Sequence, residues 1–276
     1  MGIKPFLHTM KKILAILLSA FFAVVGYGAD TLTIAHKTSL LTVPLKRGSI
    51  ECNIEADMPV KGGVTLFNNL SQRLCLAVGK ATGIENLDKG FEKIQMPALS
   101  NMESSFVKYI SEQMETQTRD AHAYNLTLDV QMLREYESSQ LITFRIDVTY
   151  YGLDNKRRQV TDHVSLLKQS GKTLSWNEVL NKKTRPKFCK AVAQSLNGYF
   201  GVMDFINLKN ALLNGAEIKE DNFPLPENGP AVTRDGLVVS YLPGEIASPD
   251  RGQPFGSIRL QSVLSYFTPN AKKWFK

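Results

Sequence analysis

Three consecutive stretches in which nearly every second residue is apolar constrain the fold of this chain more than any other feature. They cover residues 126–132, 142–150 and 160–166. Because successive side chains of a β-strand point to opposite faces, each stretch predicts a strand with one apolar and one polar face. The segments between them are polar, which is typical of strands that pair with their neighbours along the chain. The sequence therefore predicts a three-stranded antiparallel meander whose apolar face must be covered by another layer.

Helices are predicted to provide that cover. Residues 64–78 and 99–117 carry apolar side chains at helical spacing, and a further helix is predicted to begin after Thr184, with Pro186 in its first turn. Another alternating stretch, at residues 50–58, predicts one more strand. The predicted fold class is α+β, an antiparallel β-sheet meander covered on one face by helices.

The first 29 residues have the pattern of a secretory signal peptide. Three lysines precede an uninterrupted small and apolar run from Ile13 to Val25, and cleavage is expected near Gly28 or Ala29. The run is shorter than the roughly 20 apolar residues that span a bilayer, and no cysteine at its end offers a site for a lipid anchor. A periplasmic or secreted protein is expected, not a lipoprotein, with membrane contact only through the signal peptide before cleavage.

The rest of the chain is expected to form two parts that share one core. Residues 30–158 make an N-terminal α+β part, with strands, two helices and the start of the meander, and residues 159–276 make a C-terminal part. Removing the three lysines of the signal peptide from the net charge of +7 leaves +4. This charge is mild and spread out, and the basic tracts Lys156-Arg157-Arg158 and Lys182-Lys183 are interpreted as solvated turns. A nucleic-acid partner is therefore not expected.

The sequence lacks the usual motifs of metal-binding, nucleotide-binding and serine-hydrolase proteins. The chain contains no zinc motif, P-loop, GxSxG or GxGxxG segment, so no metal site and no cofactor are predicted. Its three cysteines, Cys52, Cys75 and Cys189, have no CxxC spacing. Two alternatives remain open for them: buried free thiols, or a Cys52–Cys75 disulfide of the kind that export permits.

A Pro/Gly-rich excursion between two short strands is the most informative part of the C-terminal half. Asp235-Gly236 predicts a turn, and Leu237–Leu242 predicts a strand that is buried on both faces. Four Pro and Gly residues then hold an irregular loop, and Ile258–Leu260 predicts the second strand. Such a loop forms either the wall of a groove or a rigid surface connection.

This excursion, together with a segment upstream, resembles a known family. The upstream match runs from Ser170-Gly171-Lys172 to Leu180. The matching residues of the excursion are Asp235, Gly236, Leu237, Tyr241, Glu245, Ile246, Ala247 and Gly252. Together they resemble the RsiV-like C-terminal domain family, domain of unknown function 3298, over about Val160 to Phe267. The family commonly carries a Gly-Gly-Ala-His segment on the preceding hairpin, and the corresponding residues 150–158 contain Gly152 but no histidine. The resemblance implies an exported bacterial envelope protein more than it implies a reaction.

Four residues of the excursion are candidate site residues: Tyr241, Glu245, Asp250 and Arg251. Glu245 and Asp250 could act as the paired carboxylates of glycoside hydrolysis. Alternatively, Glu245 accepts backbone N–H groups and braces the loop, while Asp250 pairs with Arg251 or caps a turn. Tyr241 either lines a binding wall, together with Tyr150 and Tyr151, or packs in the core.

The function predicted from these observations is a non-catalytic exported binding module for a protein or a cell-wall glycan. The leader, the resemblance and the missing catalytic spacing support it. The alternative is a cell-wall glycan hydrolase that uses Glu245 with a second carboxylate. The missing motifs favour a protein that is not an enzyme, and catalytic groups that converge from distant positions are the alternative.

Overall fold

The chain folds around one large sheet, seen in a computed structural model that describes residues 32–45, 48–61, 63–84, 87, 108–114 and 124–275. The sheet has five strands in the order β1-β2-β3-β4-β5. Their bounds are Thr33–Leu45, Gly48–Lys61, Tyr124–Glu137, Leu141–Tyr151 and Arg157–Leu167. The predicted signal peptide lies outside the described residues, and so does most of the helix predicted at residues 99–117.

The three-stranded meander is confirmed, and the complete sheet is mixed. β3, β4 and β5 pair antiparallel over nearly their whole lengths, and β1 and β2 form a second antiparallel pair. β2 and β3 are parallel, from Gly48 against Tyr124 to Ala56 against Met132. Between them the chain crosses the sheet through helix α1, Val64–Thr82, as a parallel pair requires. Alternation reveals the two faces of a strand but not its direction, so the parallel pair was not predicted.

Helix α1 covers the apolar face of the sheet. Its buried stripe follows the predicted helical spacing and includes Leu66, Phe67, Leu70, Leu74 and Val78. The helix ends at Gly83, which has a left-handed backbone and donates its N–H to the Gly79 carbonyl. Residues 108–114 are helical and contribute the buried Ile110 and Met114 to the same cluster. The α+β class, with helices on one face of the sheet, is therefore confirmed.

The C-terminal half adds short helices and a second, three-stranded antiparallel sheet. The helices are α2 to α7, at Trp176–Val179, Arg185–Ser195, Asn197–Phe200, Phe205–Asn210, Leu260–Val263 and Pro269–Trp274. Single 3₁₀ turns lie at Gly215–Glu217, Glu220–Asn222, Pro249–Arg251 and Leu264–Tyr266. The strands are β6 Ala231–Val232, β7 Leu237–Ser240 and β8 Phe255–Ile258. β8 begins three residues earlier than predicted, because Gly256 lacks the side chain that would have shown the alternation.

The apolar interior has two clusters within one compact unit that runs from Thr31 to Lys276. The first lies between α1 and the five-stranded sheet, and the second holds Phe188, Tyr241 and Phe267 among the C-terminal elements. The predicted division after residue 158 falls inside β5, so the two parts share the large sheet. In the described part of the chain, no helix is both long and apolar enough to cross a membrane.

All three cysteines are buried, and none of them is in a disulfide. Burial, followed by the nearby charges of Asp129 and Glu51, raises the pKa of the Cys52 thiol to about 12. The structure therefore selects free thiols from the two alternatives that the sequence left open.

Candidate functional site

A cavity of about 460 Å³ opens between α1, the segment that enters α2, and the loop before β6. Most of the groups that line it are polar. Its side-chain amides come from Asn69, Gln72, Asn177 and Asn228, and its guanidinium groups come from Arg73 and Arg185. This arrangement offers many hydrogen-bond donors and acceptors. A smaller, apolar part of the lining comes from Leu76, Leu174, Trp176, Leu225 and Pro226.

The Gly-Lys turn of the family-like segment positions the first wall against α1. Gly171 has a φ of +69°, and a Cβ at this position would collide with the backbone of Leu66. Only glycine allows both the left-handed backbone and this close approach. The Gly171 carbonyl also accepts a hydrogen bond of 2.8 Å from Asn69 Nδ2. The turn therefore binds directly to the first part of α1.

A capping box and an indole hydrogen bond position the second wall. Ser175 Oγ accepts the Glu178 N–H, and the Glu178 carboxylate accepts the Ser175 N–H. Trp176 is buried, and its Nε1 donates a 2.8 Å hydrogen bond to the Pro226 carbonyl. The start of α2 is thus tied to the loop 225–229 on the other side of the cavity.

A buried ion pair lies behind the cavity. Arg73 Nη2 lies 2.6 Å from the carboxylate of Asp162, which stands on β5 with 1% of its surface exposed. Asp162 Oδ1 also accepts hydrogen bonds from Asn228 Nδ2, at 3.0 Å, and from the His163 N–H, at 2.8 Å. Arg73 Nη1 donates to Asn228 Oδ1. One charge-compensated network therefore joins α1, β5 and the loop of the cavity.

Glu245 supports the same loop from its far side. Its Oε1 accepts the Glu227 N–H and its Oε2 accepts the Leu242 N–H, each at 2.8 Å. Burial raises the pKa of Glu245, and these two hydrogen bonds oppose that effect. The contacts are those of the bracing role that the sequence left as one of two alternatives.

The four candidate residues from the sequence fall in three different places. Tyr241 is fully buried in the second core cluster, and its Oη donates a 2.7 Å hydrogen bond to the Pro224 carbonyl. Its ring therefore offers no surface to a ligand. Glu245 lies behind the cavity loop, whereas Asp250 and Arg251 are exposed on the 3₁₀ turn Pro249–Arg251. Of the other two tyrosines, Tyr150 is buried and Tyr151 is exposed.

Sequence reasoning missed the cavity, although one signal of it was visible. Asp162 occupies a position that alternation assigns to the apolar row of β5, between Val160 and Val164. A carboxylate in such a row requires a buried partner. The sequence does not show which basic residue serves, since Arg73 is 89 positions away.

The architecture is shared with two solved structures of very different sequence. One is a DUF3298 family member from Bacteroides fragilis NCTC 9343, with a TM-score of 0.60, 12% identity, and coverage of 88% of this chain and 96% of that chain. The other is a DUF3298 family protein from Pseudomonas aeruginosa PAO1, with a TM-score of 0.51, 12% identity, and coverage of 88% and 98%. No family model matches the chain, and neither does any curated protein. At this identity the likeness establishes a common fold.

Proposed function

We propose that this chain is a non-catalytic binding module of the bacterial envelope, related to the RsiV-like domains, and that its cavity binds a segment of cell-wall glycan. Periplasmic or secreted location follows from cleavage near Gly28 or Ala29. The leader pattern and the family resemblance support the location, and the fold shared with DUF3298 structures supports the relationship.

The chemistry of the cavity is the observation that carries the choice of a glycan. Its charges compensate one another, because Asp162 neutralises Arg73, and Arg185 and Glu227 have opposite signs. The remaining polar groups are mainly amides, which both donate to and accept from hydroxyl and acetamido groups. A protein partner is favoured less, since interfaces between proteins rely on apolar and aromatic anchors. The aromatic residue of the lining, Trp176, is only 7% exposed and is bonded to the Pro226 carbonyl.

The position of Glu245 supports binding without catalysis. A general acid must reach the reacting atom at hydrogen-bond distance, directly or through one water. Both carboxylate oxygens of Glu245 already accept backbone N–H groups of the protein. Its role in this proposal is to hold the loop that carries Glu227 and Asn228.

A hydrolase is the second candidate, and one observation favours it. Burial raises the pKa of Glu245, and the negative charge of Glu227, which lines the cavity, adds to the rise. A carboxyl group with a raised pKa beside a second carboxylate is typical of glycosidases. If this candidate is correct, wild-type protein releases new reducing ends from purified cell-wall glycan, and Glu245→Gln and Glu227→Gln each abolish the release.

Retention on purified, protein-free cell-wall glycan tests the main proposal. We expect the wild-type protein to be retained, and a Gln72→Ala/Asn177→Ala variant to be recovered in the unbound fraction. Ile206→Ala is the matched control, because Ile206 is exposed and lies outside the cavity. Equal retention of the wild type and the double variant would contradict the assignment of the cavity. Mass spectrometry of the protein exported by a bacterial host tests cleavage near Gly28 or Ala29.

A further inference from the structure

We infer that Tyr199 and Phe255 form an aromatic platform, on which a pyranose ring stacks while Asp250 and Arg251 bind its hydroxyl groups. This second contact lies outside the cavity and rests on the proposed function for the class of its ligand. Asp250 and Arg251 are two of the residues that the sequence marked as candidates, and here they act with aromatic neighbours that the sequence did not indicate.

The platform consists of the exposed ring of Phe255 and the half-buried ring of Tyr199, which meets it edge-on. Phe255 begins β8 and is 55% exposed. Its side chain lies on the outer face of the strand, whereas Gly256 and Ile258 lie on the buried face. Its ring centroid lies 5.6 Å from that of Tyr199, with the two planes at 72°. Tyr199 in turn meets Phe200 edge-on at 5.1 Å, and Phe200 packs against the second core cluster. The exposed ring of Phe255 is thus connected to the protein interior through the half-buried rings of Tyr199 and Phe200.

Hydrogen bonding and close packing fix Tyr199 to the 3₁₀ turn that carries the candidate charges. Its Oη donates a hydrogen bond to the Arg251 carbonyl. At Gly252, where φ is +75°, an added Cβ would lie 3.0 Å from the same hydroxyl group. Glycine therefore lets the turn approach the tyrosine closely. Because the rings and the turn are held together before any ligand arrives, a ligand would lose little free energy to ordering them.

The chemistry of the surface favours a saccharide. A pyranose ring has an apolar C–H face, which matches an exposed aromatic ring, and a rim of hydroxyl groups. The Asp250 carboxylate accepts hydrogen bonds, the Arg251 guanidinium donates them, and both side chains are exposed on the adjacent turn. Since their charges cancel, this surface has no excess charge to attract a polyanion or a polycation. A neutral ring with many hydroxyl groups fits best.

Equilibrium binding of soluble N-acetylated chito-oligosaccharides, measured by titration calorimetry, tests the platform. We expect Phe255→Ala to weaken binding about tenfold, on the scale of stacking against an aromatic side chain, and Phe255→Trp to retain it. Ile206→Ala, at another exposed apolar side chain, should bind like the wild type. Circular dichroism establishes that each variant is folded.

The outcomes separate this inference from the proposed function. If Phe255→Ala binds like the wild type while Gln72→Ala/Asn177→Ala loses binding, the platform is wrong and the cavity stands. If Phe255→Ala loses binding while the cavity variant binds normally, the platform stands and the cavity is not the site. If the wild type binds no saccharide of this class, both are overturned.

Discussion

Arg73 of α1 and Asp162 of β5 form a buried ion pair, with Arg73 Nη2 2.6 Å from the carboxylate and the two side chains 11% and 2% exposed. The pair connects the covering helix to the sheet at the place where the cavity opens. Two buried charges are tolerated because each compensates the other, and removing either one leaves an uncompensated charge in the interior.

We therefore expect Asp162→Leu to lower the free energy of unfolding by about 3–5 kcal/mol. The double variant Arg73→Met/Asp162→Leu should recover much of that loss, because apolar residues of similar size fill the space without a buried charge. Urea unfolding of the four proteins of this double-mutant cycle gives the coupling energy. Additive effects of the two substitutions would contradict a coupled pair. Asp154→Asn, which breaks the exposed Arg158–Asp154 pair, is the matched control and should leave the unfolding midpoint unchanged.

The same residues show how far the sequence predicts this molecule. Alternation located β3, β4 and β5, because the side chains of a half-buried strand must alternate whatever the rest of the chain does. The same alternation puts Asp162 in the apolar row of β5, a signal of a buried polar centre that the predictions from sequence did not use. Its partner Arg73 comes from another element, and the loop with Asn228 from a third. Such contacts are set by tertiary packing, which local pattern does not encode, so the cavity could be described only from the structure.

Gly171 offers a test of how the first wall is positioned. We expect Gly171→Ala to destabilise the protein by about 1–3 kcal/mol or more, because the new side chain strains a left-handed backbone and collides with Leu66. Gly198→Ala is the matched control, since Gly198 lies in helix α4 and an added Cβ meets nothing within 4 Å. That substitution should be neutral or slightly stabilising. Thermal unfolding of both variants makes the comparison, and equal effects would show that Gly171 has no special role.

The thiols should be unreactive in the folded protein. Cys52, Cys75 and Cys189 are buried and are in no disulfide. Burial raises the pKa of Cys52 to about 12 and raises that of Cys189 as well. Because the thiolate is the reactive form, a thiol reagent should label none of them until denaturant is added, and should then label all three. The intact mass should not change on reduction. If the denatured protein took up only one label, and took up all three after reduction, the result would instead show a disulfide.

His163 should make the folded state lose stability as the pH falls below neutrality. Burial has the largest effect and lowers the pKa of His163. The negative charges of Glu135, Asp162 and Asp147 raise this pKa, and the positive charge of Arg145 lowers it. Below the ordinary value of 6.5 the unfolded chain binds a proton that folded His163 still rejects, so stability falls as the pH drops towards the folded-state pKa. In His163→Gln we expect a shallower loss of unfolding free energy from about pH 7 to about pH 5. Identical slopes for both proteins would contradict this assignment.

The brace at Glu245 gives the sharpest separation between binding and hydrolysis. In Glu245→Gln the side chain keeps one carbonyl oxygen, and its NH₂ group meets a backbone N–H that has lost its acceptor. We expect a loss of about 1–3 kcal/mol in the free energy of unfolding. Hydrogen exchange should become faster at the Glu227 or Leu242 amide, the two donors that the carboxylate holds.

Glu227→Gln is the matched control for that brace, because it changes the side chain of Glu227 but keeps its backbone N–H as a donor to Glu245. A binding module predicts that this control keeps its stability and its exchange protection. A hydrolase predicts instead that both substitutions abolish the release of reducing ends, including Glu227→Gln, in which the two amides stay protected. Full protection of both amides in Glu245→Gln would contradict the bracing role of Glu245, since a carboxylate that holds a loop cannot be replaced without loosening the groups it binds.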